Sequence, residues 1–497
     1  MDDKKKFREL ILKKKLIESN LALVLWELET KAPKKSQKLM ADIVTDLSMQ
    51  SYSLSTSQEF TDIVNRMKER SDLTEIEKKE VEILYEEIEK KKSIPAEEYE
   101  KYTSVCALNQ GIWEDAKKQN DFSLMLEPYT KVFEYNKKFA IYRKKNEKNL
   151  YDVVLNDYEK NMTVEKLDKF FNQLKEEIVP LLKKIIKKKE ENKIESTLNF
   201  SIDTESQKKF NKYICDYLGF DFDRGIVAES EHPFTTNLDK NDVRFTTKYI
   251  EKIPFSSLFS SIHELGHAIY EQQTGDELVD TLLGGGGSMG LHESQSRFME
   301  NIIGRNKNFW EHIYSDAQKF YPQLKNIPLD DFYRDINVVE PSLIRTEADE
   351  LTYSLHIMVR YEIEKMIFNQ NVDMKDLPKI WANKMYEYLG IIPENDNLGV
   401  MQDVHWPTGL VGYFPSYALG NAYAAQIYNT MKKEIDVDNL LKSGNVKVIR
   451  EWLKNKIHKY GKLKDTEEII INVTGEELNP KYYIDYLKEK YSKIYNL

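Results

Sequence analysis

Long charged segments carrying apolar residues at three- and four-residue spacing run through most of this chain, and little interrupts them. Leu73–Lys92 and Val164–Asn192 are the clearest, each reading as an amphipathic helix rich in lysine and glutamate. Across 497 residues there are only 14 prolines and 19 glycines, too few to punctuate a strand-rich fold. The fold class this implies is mainly α. Pro180 is expected to kink or divide the second of these helices. The runs Lys183-Lys184 and Lys187-Lys188-Lys189 read as solvated faces, with anion binding a distant second. No internal repeat and no Gly/Ser/Pro-rich linker marks a boundary, so residues 1–497 are read as one unit, with a helical part over about 1–200 and a second part over about 201–497.

One stretch departs from this pattern, and a small β-sheet is expected near residues 227–250. Val243–Ile250 is β-branched and aromatic, Asp239-Lys240-Asn241-Asp242 makes a turn, and Phe234–Leu238 supplies the partner strand. Such a hairpin is either purely structural or an edge that holds an extended peptide by strand addition.

Directly after it comes His263-Glu264-Leu265-Gly266-His267, an H-E-x-x-H motif. Leu258, Ile262, Leu265 and Ile269 give it helical spacing, with Ser256 or Ser257 as the expected cap and Gly275 as the expected end. One turn apart on a helix, His263 and His267 reach the same ion while Glu264 stands beside it as a base, the arrangement of a metal-dependent hydrolase. Gly266 costs such a helix about 1 kcal/mol relative to alanine, so a backbone or a substrate is expected close to that face. The bland alternative is a pair of structural histidines on a buried helix.

A catalytic metal needs a third protein ligand and an open position. His292 and Glu293 follow in Gly290-Leu291-His292-Glu293-Ser294-Gln295-Ser296-Arg297, and a helix from about Ser288 would bury Leu291, Phe298 and Ile302. Glu293 is preferred, because a glutamate from a following helix completes a His/His/Glu set. Its competing reading is a surface pair with Arg297 one turn on. The intervening Gly284-Gly285-Gly286-Gly287 lacks the Gly-Lys-Ser/Thr ending of a phosphate loop, so nucleotide binding is set aside and a mobile loop bordering the cleft is expected.

Composition narrows the class further. A net charge of −10 argues against a nucleic-acid partner, and no segment is long and apolar enough to be a signal peptide or a membrane span. Cys106 and Cys215 are the only cysteines, which makes a disulfide framework improbable and points to a reducing, cytoplasmic setting.

In order along the chain stand His232-Pro233-Phe234, Asp242-Val243-Arg244-Phe245-Thr246, His263 to His267, His292-Glu293-Ser294-Gln295, Ile344-Arg345-Thr346-Glu347-Ala348-Asp349, and Gly399-Val400-Met401-Gln402-Asp403-Val404-His405-Trp406. This succession resembles the carboxypeptidase Taq family of zinc metallocarboxypeptidases over essentially the whole chain. The resemblance implies a helical molecule with a deep active-site groove and one divalent ion, zinc or alternatively cobalt, held by His263, His267 and Glu293. It also implies Glu264 as general base, a homodimer, and release of single amino acids from peptides with a free C-terminal carboxylate.

Chemistry asks for two further functions. An oxyanion needs a stabiliser beside the metal, for which His405 and Tyr417 are the candidates; a terminal carboxylate needs a guanidinium, for which Arg345 and then Arg244 are the candidates. Arg345 is expected on a helix opened by Pro341, where pairing with Asp349 is its bland alternative. Two other activities stay open at this point: a metallo-endo-oligopeptidase with the same helix motif, and a catalytically silent peptide-binding protein.

Overall fold

The computed structural model describes residues 2–192 and 195–497. The helices that matter for the site are α1 (Asp3–Thr30), α2 (Gln37–Thr56), α3 (Gln58–Lys68), α4 (Glu75–Lys92) and α5 (Val164–Asn192), followed after the sheet by α6 (Pro254–Gln272), α7 (Met289–Arg297), α8 (Glu350–Asn369) and α9 (Pro415–Glu434). No helix among the described residues is long and apolar enough to cross a membrane.

Local sequence explains the helix ends. Thr74 and Glu77 form a reciprocal capping box at the start of α4, and Lys90, Lys91 and Lys92 fill its last turn, where the helix dipole favours cations. Helix α5 runs through Pro180 without a break, contrary to the expected division. Both Pro180 and Glu176, whose carbonyl loses its partner, lie on the exposed face, where water can take that bond.

The expected hairpin forms, with β2 (Thr235–Asp239) antiparallel to β3 (Asp242–Thr247), and a third strand, not expected from the sequence, joins it. That strand, β1 (Gly225–Glu229), pairs parallel with β3, giving the order β1-β3-β2. A parallel partner has no adjoining turn to announce it. The outer edge of β2 is partly covered by α1: Trp26 packs edge-on against Phe234 at 5.6 Å, and the Ser19 hydroxyl donates to the Leu238 carbonyl at 3.2 Å.

A large core reaches from Ala116 to Tyr495, and a smaller one forms between α1, α3 and α4 from Phe7, Leu10, Phe60, Ile63, Val64 and Leu84. Leu282, from the loop after α6, packs on the smaller core, and its N–H donates to buried Glu80, which Arg8 also holds. The N-terminal helices are thereby fastened to the region of the site.

Candidate metal centre

Helix α6 starts at Pro254, whose missing N–H costs nothing at a first helical position, and not at a serine cap. Ser257 is buried and donates instead to Gln207. The helix ends at Gln272, before Gly275. Its apolar face, Leu258, Ile262, Leu265 and Ile269, is buried as the spacing requires. Gly266 is explained by a close approach of backbone: a Cβ there would stand 2.5 Å from the Gln295 carbonyl oxygen. On the other side of α7, a Cβ at Gly420 of α9 would stand 2.5 Å from Glu293 Cγ. Two glycines therefore let α7 sit deep between α6 and α9, which sets Glu293 beside the histidines.

Helix α7 begins after Ser288, whose side chain caps Leu291 N–H, as the sequence suggested. Glu293 then does both things expected of it. Oε1 accepts from Arg297 Nε at 2.7 Å, while Oε2 faces His263 Nε2 at 3.6 Å and His267 Nε2 at 3.5 Å. These separations are too long for hydrogen bonds, yet donors around a tetrahedral ion with ~2.1 Å bonds sit about 3.4 Å apart. One donor atom from each of the three residues lies within 4.8 Å of the others, so the set fits a divalent ion.

The far nitrogens are also tied. His263 Nδ1 meets Glu300 Oε2 at 3.0 Å, and His267 Nδ1 meets His292 Nδ1 at 2.6 Å. His292 uses its other nitrogen on Glu271, so neither is left for a metal. Burial opposes ionisation of Glu300, but the His263 hydrogen bond and the charges of Arg297 and Arg305 hold its carboxyl down at about 2. Burial lowers His267 to about 4, and it also raises Glu264, with His263 working the other way.

A cavity of about 890 Å³ opens over this cluster. Glu264 lines it, with Oε2 accepting from the Thr235 hydroxyl at 2.6 Å. Arg345 lines it too, but from a single turn of 3₁₀ helix, Arg345–Glu347, and not from a helix opened by Pro341. The helix waits until Glu350 because Asp349 is its cap, accepting the N–H groups of Leu351 and Thr352. Asp349 is thus spent on backbone. Arg345 pairs instead with Asp403, through Nε at 3.1 Å and Nη2 at 3.0 Å, and donates from Nη1 to the Tyr353 hydroxyl at 3.1 Å. Three of its five N–H groups are used, which leaves two.

Tyr417 lines the cavity, with the Arg345 guanidinium carbon 5.1 Å from its ring centroid. His405 lies behind it, packed on Tyr413 and Phe414, and is not among the lining residues. Arg244 is not brought to the cavity: its guanidinium forks onto Asp242 with two 2.7 Å bonds and lies over Trp26. Tyr413, which lines the cavity, and the outer carboxylates Glu271 and Glu300 were not among the residues expected from the sequence. Both carboxylates were findable, Glu271 four residues after His267 and Glu300 seven after Glu293, whereas one tyrosine among 30 carries no signal.

The expected mobile glycine loop is neither at the cleft nor free. Gly285 and Gly286 are buried, Gly286 N–H donates to Glu271 and Gly287 N–H to the Tyr270 hydroxyl.

Residues 6–491 match the family described as carboxypeptidase Taq (M32) metallopeptidase. The chain is 44% identical over 497 residues to carboxypeptidase 1 of Bacillus subtilis (strain 168), covering 99% of each. It is 35% identical over 470 residues to thermostable carboxypeptidase 1 of Pyrococcus furiosus, covering 94% of each. Among solved structures, the M32 carboxypeptidase from Deinococcus radiodurans R1 superposes with a TM-score of 0.96 at 29% identity, covering 100% of both chains.

Proposed function

This chain belongs to the carboxypeptidase Taq (M32) metallopeptidases and is a metal-dependent carboxypeptidase; from that premise we propose which of its residues perform the hydrolysis. His263, His267 and Glu293 hold the ion, which we assign as zinc, with cobalt(II) suited to the same donors. The bound ion supplies Lewis acidity, polarising the scissile carbonyl and making water a better nucleophile. Glu264 accepts the proton from the attacking water and passes it to the departing amine. Tyr417 is the oxyanion donor, since its ring faces the cavity, and His405 supports it from behind.

The observation that carries the exopeptidase reading is Arg345. It is 7% exposed, lines the same cavity as the metal donors, and retains two N–H groups. A terminal carboxylate takes two parallel N–H groups well. Arg244, engaged by Asp242, is the second choice. The reaction class is release of single amino acids from the free C-termini of peptides. The test is a pair of peptides of one sequence, one amidated: loss of cleavage on amidation supports the carboxylate anchor, and equal cleavage of both supports an endo-oligopeptidase.

We also propose that residues 1–497 act as one catalytic unit, supported by the anchoring of Leu282 on the N-terminal core. Homodimer assembly is the expectation that goes with the family resemblance, and exposed Leu12, Leu16, Leu39 and Met49 on α1 and α2 offer apolar surface for it. A cytoplasmic setting accords with two unpaired cysteines.

A further inference from the structure

We propose that His292 and Glu271 are positioning residues that fix the tautomer of His267, and that the Gly284–Gly287 backbone is shaped to hold them. The consequence for metal binding rests on the metal-centre reading above; the geometry does not.

Two imidazole Nδ1 atoms 2.6 Å apart share one proton, since two N–H groups or two lone pairs would repel. Which ring carries it is decided at the other end of the chain. His292 Nε2 stands 2.7 Å from Glu271 Oε1, and every other contact that Glu271 makes is also that of an acceptor. Its Oε1 accepts Gly286 N–H at 3.0 Å, and its Oε2 accepts from the Asn237 side-chain amide. The carboxylate therefore places the proton of His292 on Nε2. With each ring neutral, that leaves His292 Nδ1 as a lone pair, which requires the proton of His267 on Nδ1, and Nε2 of His267 is left bare on the side of Glu293. The reverse order would set a lone pair against a carboxylate and a proton where the ion binds. His263 reaches the same state by one step, through its direct contact with Glu300.

The glycine run fits this role. A Cβ at Gly286 would lie 2.4 Å from His292 Cδ2 and 2.9 Å from a ring carbon of Tyr270, so a side chain there drives the imidazole off its partners. Gly285 has φ +121°, a conformation that L side chains rarely adopt. The loop approaches the relay as closely as backbone alone allows.

The first readout needs no metal. In metal-free protein labelled with ¹⁵N-histidine, which has only 8 such residues, the long-range ¹H–¹⁵N pattern should show His267 protonated on Nδ1 and His292 on Nε2. The second is zinc affinity by chelator competition. His292→Phe, which fills space but accepts nothing, should weaken binding roughly 10- to 100-fold. His292→Asn, whose amide oxygen can stand in for Nδ1, should stay within a few-fold of the parent despite its smaller volume. An Nε2-protonated His267 in the parent, or parental affinity in His292→Phe, would overturn the proposal. A loss in His292→Asn equal to that in His292→Phe would reduce His292 to packing and overturn it as well. Should His292→Phe fail to fold, the tautomers of the parent decide the matter. A parent that binds no ion would sink the metal-centre reading while the tautomer pattern is still read independently.

Discussion

Replacing Arg345 by methionine removes the guanidinium without stranding its partner. Asp403 keeps Arg360, whose Nε donates to Oδ2 at 2.7 Å from a fully buried position. Tyr353 loses one donor but gains no buried charge. The structural cost is therefore modest, and the functional cost is the loss of two charge-assisted hydrogen bonds from a buried guanidinium to a terminal carboxylate. Truncating one member of such a pair typically costs about 2–5 kcal/mol, so kcat/KM for free peptides should fall by roughly 30- to 5,000-fold. Cleavage of amidated peptides, however slow, should hardly change, because they have no carboxylate to lose. The assay is kcat/KM for both peptides on parent and variant, with circular dichroism and metal content measured on each preparation. Equal losses on the two substrates would refute the anchor and make Arg345 a structural brace for Asp403.

Glu264→Gln keeps the Thr235 hydrogen bond and the fold but cannot take a proton, so turnover should drop roughly 100- to 10,000-fold at unchanged metal content; a few-fold effect would remove Glu264 as base. Glu293→Ala should release metal readily to a chelator, since it deletes a charged ligand and leaves Arg297 with Glu300 alone; undiminished occupancy would move the ligand role elsewhere. Gly266→Ala should destabilise by about 1–3 kcal/mol, because its Cβ meets the backbone of α7; neutral behaviour in denaturant melts would contradict the close approach. Burial raises the Glu159 carboxyl to about 7, despite hydrogen bonds from Ser288 and Gly290. Protonation therefore favours the folded state. Its contribution is fully present below about 4.5, where the unfolded chain titrates, and is lost as pH rises through about 7, by up to about 3 kcal/mol. Glu159→Gln should flatten that part of the stability–pH curve in metal-free protein, and an unaltered slope would refute the account.

The helical class, the hairpin, the start of α7 at Ser288 and the pairing of His263 with His267 on one helix face were all legible, because each depends on periodicity, turn chemistry or capping within a few residues, whereas Glu293 was chosen over His292 by the chemistry of a His/His/Glu donor set. What was not legible depends on partners distant in sequence. The partner of Arg345 is Asp403, fifty-eight residues on, whereas a local reading could offer only Asp349. Strand β1 needs β3 to exist, and the inward packing of His405 is set by Tyr413 and Phe414 at the mouth of α9. The glycine run misled for a related reason: its lack of side chains is a response to the rings of His292 and Tyr270 and not a sign of freedom. The start of α8 was a readable feature misread, since Asp349 is a good cap and Pro341 only a permissible one.

One ion and one arginine in a single cavity are proposed to make this chain remove residues from free C-termini. The direct measurement is mass spectrometry of a defined peptide incubated with metal-free protein, before and after zinc is restored. The expected result is a ladder of products each shortened by one C-terminal residue, appearing only with the ion and absent for the amidated peptide. Internal fragments, N-terminal trimming, or an unchanged ladder in the presence of chelator would contradict it.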